Sequence, residues 1–149
     1  MDEFAQLIGA TGRLLGIETL EPDADGVVAI VSEDAAISII RAGDAGDMVL
    51  MTSNVVAASE SAPDAMRRAL EANVQSAAGG ATVSLDPDDG SFVLSDYFPL
   101  RVVTPEGLVA KLEGFASALS EVRDLLSGRL QPETDAVHDS SDVSGFMMV

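Results

Sequence analysis

Three β-branched runs follow one another with very little chain between them: VVAIVS (27–32), AISII (36–40) and MVLM (48–51). The first two are joined through Glu33 and Asp34, and the glycine-rich AGDAGD leads into the third. A parallel pair of strands needs a crossover of about a dozen residues or more, so links this short commit neighbouring strands to an antiparallel meander.

Helical periodicity brackets that meander. Phe4, Leu7, Ile8, Thr11, Leu14 and Leu15 recur at helical spacing, with Asp2 as cap and Gly16 as stop. ETLEPDADG (18–26) then reads as an acidic turn. SAPD (61–64) predicts a second helix start: Ser61 caps, Pro63 suits the first turn, and Asp64 sits where a capping box wants an acid. That helix carries Met66, Leu70, Val74 and Ala77 on one face and ends at Gly79 and Gly80. A strand alternating Val83 and Leu85 follows, Asp89 and Gly90 turn the chain, and a further strand begins with Phe92 and Leu94. From Thr104 and Pro105 a third helix runs with Leu108, Leu112, Phe115, Leu119, Val122 and Leu126 as a continuous apolar stripe, closed by Gly128.

The resulting order, α-β-β-β-α-β-β-α, predicts an α+β fold with a twisted antiparallel sheet packed by helices. It occupies residues 1–129. The remainder, 130–149, has four acids, no base and no periodicity, and reads as an acidic disordered tail holding the only histidine, His138. Its apolar end, Phe146 to Val149, is expected to be inert; the alternative is that it fills a groove until a partner displaces it.

Composition removes whole classes of function. The net charge of −17 repels phosphate backbones and anionic lipids, which argues against nucleic acid and membrane partners. Without cysteine there are no disulfides, thiolate metal sites or Cys nucleophiles, a composition that suits a reducing cytoplasm. MDEFAQ is acidic where a secretory signal is basic, and no apolar run reaches the roughly 18 residues that span a bilayer. A cytoplasmic protein is expected.

Several motifs tempt and fail. GATGRLLG (9–16) echoes a dinucleotide-binding fingerprint, yet its glycines lie in or at the end of a helix with no strand before them. Helix packing and termination account for them better. EPDADGVV (21–28) sets Glu21, Asp23 and Asp25 at calcium-loop positions one, three and five, but position twelve is Ser32 and a strand follows where a helix is needed. DPDDG (86–90) is a hairpin turn. Lys111 sits among acids on a long helix as a solvated or paired cation. No catalytic residue, metal ligand set or cofactor motif stands out, so the chain is expected not to be an enzyme and to need no cofactor. A calcium-responsive protein using Glu21, Asp23 and Asp25 remains the rival from a different class.

The sequence resembles the small acidic chaperones of type III secretion, the Tir-chaperone-like class that serves one or a few effectors. The likeness covers about residues 4–127. It is carried by LLGIETLEPDADGVVAIV, RRALEANVQSAAGG, ATVSLDPDDGSFVLSDYFPL and LVAKLEGFASALSEVRDLL, most of all by Leu70, Asn73, Gly79-Gly80 and the alternating hairpin. The resemblance implies a homodimer in the bacterial cytoplasm, acting in virulence. Without ATP, each protomer would hold the N-terminal segment of a secreted effector, extended and secretion-competent, by strand addition and apolar grooves. By position it assigns Met66, Leu70, Val74, Val83, Leu85, Phe92 and Leu94 to the dimer interface. It assigns Leu7, Leu14, Ile17, Val27, Ala29, Val31, Ile37 and Ile39 to effector binding, with about half of these expected to be buried structure instead. A peptide-binding adaptor or regulator of the same fold, without a secretion role, is the nearer alternative.

Overall fold

The computed structural model describes residues 2–75 and 80–128. Its elements are α1 (Glu3–Leu14), β1 (Val27–Val31), β2 (Ala36–Ala42), β3 (Met48–Val56), α2 (Ala65–Gln75), β4 (Thr82–Leu85), β5 (Phe92–Pro99) and α3 (Pro105–Ser127), with single 3-10 turns at Ala58–Glu60 and Leu100–Val102. The expected α-β-β-β-α-β-β-α order holds. The strands form one antiparallel sheet in the order β1-β2-β3-β5-β4. The fold divides into two compact units, Met1–Ser53 with Ser95–Ser117, and Asn54–Leu94 with the segment starting at Ala118.

In the first unit the sequence caps α1 as expected. The Ala5 N–H donates to Asp2 Oδ1 at 2.7 Å, and Gly16 takes a φ of +81° just past the end. The face bearing Phe4, Leu7, Ile8 and Thr11 is buried, and the Thr11 hydroxyl is satisfied by the Leu7 carbonyl at 2.7 Å. The glycines of GATGRLLG divide the work. A Cβ on Gly12 would stand 2.7 Å from Leu20 Cβ and 3.3 Å from the Ile17 carbonyl oxygen, so Gly12 is where the following loop crosses the helix. Gly9 has nothing closer than 3.8 Å. Gly12→Ala is therefore expected to cost about 1–2 kcal/mol, the overpacking exceeding a helix-propensity gain of about 1 kcal/mol. Gly9→Ala keeps the gain and should stabilise. Opposite shifts of the two urea midpoints at constant m would bear this out.

Strand register decides which face is core. Val28 pairs with Ile39, and Ile39 with Met51, all three buried. One residue along, Val27 pairs with Ile40 and Ile40 with Leu50, and this row is only half-buried. Two residues assigned by resemblance to effector binding, Ile37 and Ile39, therefore belong to the core face, as Leu7 does on α1. Alternation turns Ser38 and Ile40 outward in their place. The start of α3 is fixed by Thr104 Oγ1, which accepts from the Gly107 N–H at 3.0 Å, and its first turns bury Leu108, Leu112 and Phe115. Lys111 is a paired cation: its Nζ lies 4.5 Å from the centre of the Phe98 ring and 4.0 Å from Asp96.

In the second unit α3 continues with Leu119, Val122 and Leu126 buried and ends at Gly128, with φ +84°. The last carbonyls of α3 find donors. The Ala62 N–H reaches Leu126 O at 2.7 Å, and Arg68 Nη1 reaches Leu125 O at 2.8 Å while its Nε pairs with Asp64 at 2.9 Å. α2 starts later than SAPD predicts. The Ser61 hydroxyl donates back to Ala58 O at 2.8 Å, so it closes the preceding 3-10 turn and caps nothing, and the helix opens at Ala65. β3 runs on to Val56, where Arg123 holds the carbonyls of Asn54 and Val55 at 2.8 Å. The hairpin turn is as expected: Gly90 has φ +75°, and Asp89 Oδ1 accepts from the Ser91 N–H at 2.9 Å. Hydrogen bonds from Ser91, side chain first and then backbone, hold the Asp89 carboxyl below its ordinary range. Val83, Phe92 and Leu94, assigned by resemblance to a dimer interface, are buried in this unit and are core.

Candidate partner-binding surfaces

α2 is built inside out. Its buried face is alanine (Ala65, Ala69 and Ala72), while Met66, Leu70 and Val74 line the opposite side at intervals of four, 63%, 69% and 83% exposed. Side chains four apart stand one above the other on a helix, so these make one apolar ridge in water. Small inward residues bring the helix close to its unit, and the large ones are left without a place in it. Leu85 on β4 is exposed as well. Four of the residues assigned to the dimer interface are thus free to meet a partner.

Asn73 fixes the ridge against β4. Its Oδ1 accepts from the Val83 N–H at 2.8 Å and its Nδ2 donates to Val83 O at 3.1 Å, so one carboxamide stands in for a neighbouring strand at the sheet edge. Asn73→Ala strips both partners from a buried residue and is expected to cost about 1–3 kcal/mol. Faster hydrogen exchange at the Val83 amide, together with a lower urea midpoint, is the readout.

β1 lies at the other end of the strand order. Of the residues assigned to effector binding, Ala29 and Val31 are exposed here and Val27 is half-buried. At the end of α1 Leu14 is exposed, and just past it Leu15 is exposed and Ile17 half-buried. Tyr97 and Val102 also stand out in water, and the sequence reading passed over both. Tyr97 alternates with the buried Phe98 on β5, which is the signal that could have found it.

The acidic turn before β1 has its own task. Asp23 Oδ1 accepts from the N–H groups of Asp25 and Val27 at 2.8 and 3.0 Å, and the Asp23 N–H donates to Val27 O at 3.0 Å. That carboxylate folds the turn. Among the described residues no group of three or more His, Cys, Asp or Glu side chains is placed to hold a metal ion, and no helix is long and apolar enough to cross a membrane.

An open antiparallel sheet with helices, an apolar ridge on one helix and an exposed edge strand are the surfaces this fold offers to other chains. The chain belongs to the Tir chaperone protein (CesT) family, whose model matches residues 6–123. Solved structures similar to it include a chain of the ExsC–ExsE complex, 16% identical with a TM-score of 0.72, covering 85% of this chain and 97% of that one. A chain of the HopA1–SchA chaperone–effector complex is 15% identical with a TM-score of 0.67, covering 82% and 94%. The Yersinia pestis type III secretion chaperone SycH in complex with a stable fragment of YscM2 gives 16% and 0.58, covering 79% and 98%. At such identities the likeness is one of fold. No curated protein sequence matches the chain.

Proposed function

We propose that this protein is a non-enzymatic, ATP-independent chaperone of type III secretion in the bacterial cytoplasm. As a homodimer it holds the N-terminal segment of a secreted effector extended and competent for export. Family membership supports the reading, as does similarity to structures described as a chaperone–effector complex and as a type III secretion chaperone bound to a fragment of another protein. The observation that carries it is that Met66, Leu70 and Val74 stand in water on α2 while the helix buries only Ala65, Ala69 and Ala72.

Met66, Leu70, Val74 and Leu85 are the dimer contact in this reading. Fully burying side chains of this size is worth about 1.5–3 kcal/mol each. Leu14, Ile17, Val27, Ala29 and Val31 receive the effector, whose ordering costs about 2–5 kcal/mol that apolar burial and main-chain hydrogen bonds must offset. Residues 1–129 form the binding body and 130–149 take no part in it.

The test is capture of the tagged protein from its own host, identification of bound chains by mass spectrometry, and limited proteolysis of the complex. One dominant partner, protected only in an N-terminal segment, is expected. No partner, or a partner bound through a folded domain, would overturn the reading and favour a peptide-binding adaptor.

A further inference from the structure

We propose that residues 146–149 (FMMV) of this chain lie against the α2 ridge of their own protomer and are displaced when two protomers meet, so that they set how readily the dimer forms. The inference rests on the proposed dimer and goes beyond it: the segment adds nothing to the binding body and competes for its ridge.

Met66, Leu70 and Val74 stand four apart and largely in water. A second protomer covers such a ridge only at concentrations where protomers meet, and an uncovered apolar row invites aggregation. Residues 146–149 lie outside the described residues, and the sequence sets them apart from what precedes them. The stretch before Phe146 carries Glu133, Asp135, Asp139 and Asp142, and then four apolar side chains come in succession. Two are methionines, whose unbranched, polarisable thioethers adapt to irregular apolar surfaces.

The end of α3 decides which surface is in reach. The Ala62 N–H donates to Leu126 O at 2.7 Å, Arg68 Nη1 reaches Leu125 O at 2.8 Å, and a Cβ on Gly128 would stand 3.5 Å from Ala62 Cβ. The chain thus leaves α3 beside the start of α2, about one turn before Met66. From Gly128 to Phe146 is about 18 residues, a length that spans about 20–25 Å as a random coil. The ridge from Met66 to Val74 is about 12 Å long. A segment tethered at that range acts at a millimolar effective concentration, which a second copy at micromolar concentration has to overcome.

Charge favours the same place. α2 carries Arg67 and Arg68 against Glu71 alone, a net positive charge in a chain of −17, and Arg67 is exposed beside the ridge. The acids before Phe146 are drawn there and repelled by most of the remaining surface. Two ridges meet only when both are open. A segment that covers two thirds of the ridges in single protomers therefore raises the dimer dissociation constant about 10-fold, the inverse square of the open fraction.

The full chain carrying Phe146→Ser, Met147→Ser, Met148→Ser and Val149→Ser keeps its length and charge and tests this by sedimentation across a dilution series. Its dimer is expected to be about 10-fold tighter than that of the wild type. The chain has no cysteine, so Ser144→Cys gives a single attachment point for a benzophenone photo-crosslinker. At concentrations below dimer dissociation it should link to α2 within one chain, and the serine substitutions or Leu70→Glu should abolish that link. Equal dimer constants, a looser dimer in the serine variant, links to elements other than α2, or links formed only between chains overturn the inference and leave the chaperone dimer standing. Wild-type and serine-variant chains that are both monomeric at every concentration would overturn the dimer reading and the inference with it.

Discussion

Replacing Leu70 with glutamate is expected to turn the proposed dimer into a monomer while leaving the protomer folded. Glutamate and leucine have similar helix propensities, and Leu70 is 69% exposed in the single chain, so the substitution should change protomer stability by no more than about 0.5 kcal/mol. At a dimer contact the same change is severe. Leu70 is the middle of the ridge, between Met66 and Val74, where the proposed association would exclude water most completely. Truncating such an anchor typically costs 2 kcal/mol or more, and a two-fold axis makes each protomer lose it and also face its partner's added charge. The dissociation constant should rise by about 100-fold or more. Sedimentation or light scattering across a dilution series reads this directly, with a thermal scan of the monomer to show that the fold persists. An L70E chain that stays dimeric would move the interface away from α2, and a wild-type chain that is monomeric throughout would remove the dimer altogether.

α2 also shows what a sequence can and cannot say about burial. Met66, Leu70 and Val74 are as periodic as the stripe on α3, and periodicity reports that a face meets something apolar without saying whether that is the chain's own core. α3 has one apolar stripe, and all six residues read from it are buried. α2 has two: the large side chains, and Ala65, Ala69 and Ala72, which hydrophobicity ranks lower but which win the inside because they let the helix sit close. β2 failed for a related reason. In AISII both strand faces offer isoleucine, so alternation alone could not choose Ile39 over Ile40. The hairpin and the α1 stop were legible because glycine at positive φ and an Asp side chain bonded to the backbone are local devices that need no tertiary partner. Asn73 stood out as part of the resemblance, and its physical role emerged only once Val83 was seen beside it. The turn-forming role of Asp23 was hidden inside a motif that looked like a calcium loop.

Leu119→Ala is expected to be the most damaging truncation on α3, at about 2–5 kcal/mol. Leu119 is fully buried, lies midway along the apolar stripe and is flanked on the same face by the buried Phe115 and Val122. Removing its branched end loses transfer free energy and leaves a cavity that the rigid helix backbone can close only in part. Total stability for a domain of this size is on the order of 5–15 kcal/mol, so the loss takes a large share of it. Because partner binding stabilises the folded state by mass action, the dimer proposed for the wild type would mask part of the effect, more so at higher protein concentration. The measurement therefore belongs in the Leu70→Glu background, by urea unfolding with the midpoint read at constant m. Leu119→Met, which conserves volume, should cost less than about 1.5 kcal/mol in the same background. A small loss for alanine comparable with that for methionine would mean that this turn of α3 is loosely packed. The α2 ridge would then have to be reconsidered as a part of the core seen in an open state. A full loss, with L70E itself neutral, separates the two apolar stripes physically: one builds the protomer and the other waits for a second chain.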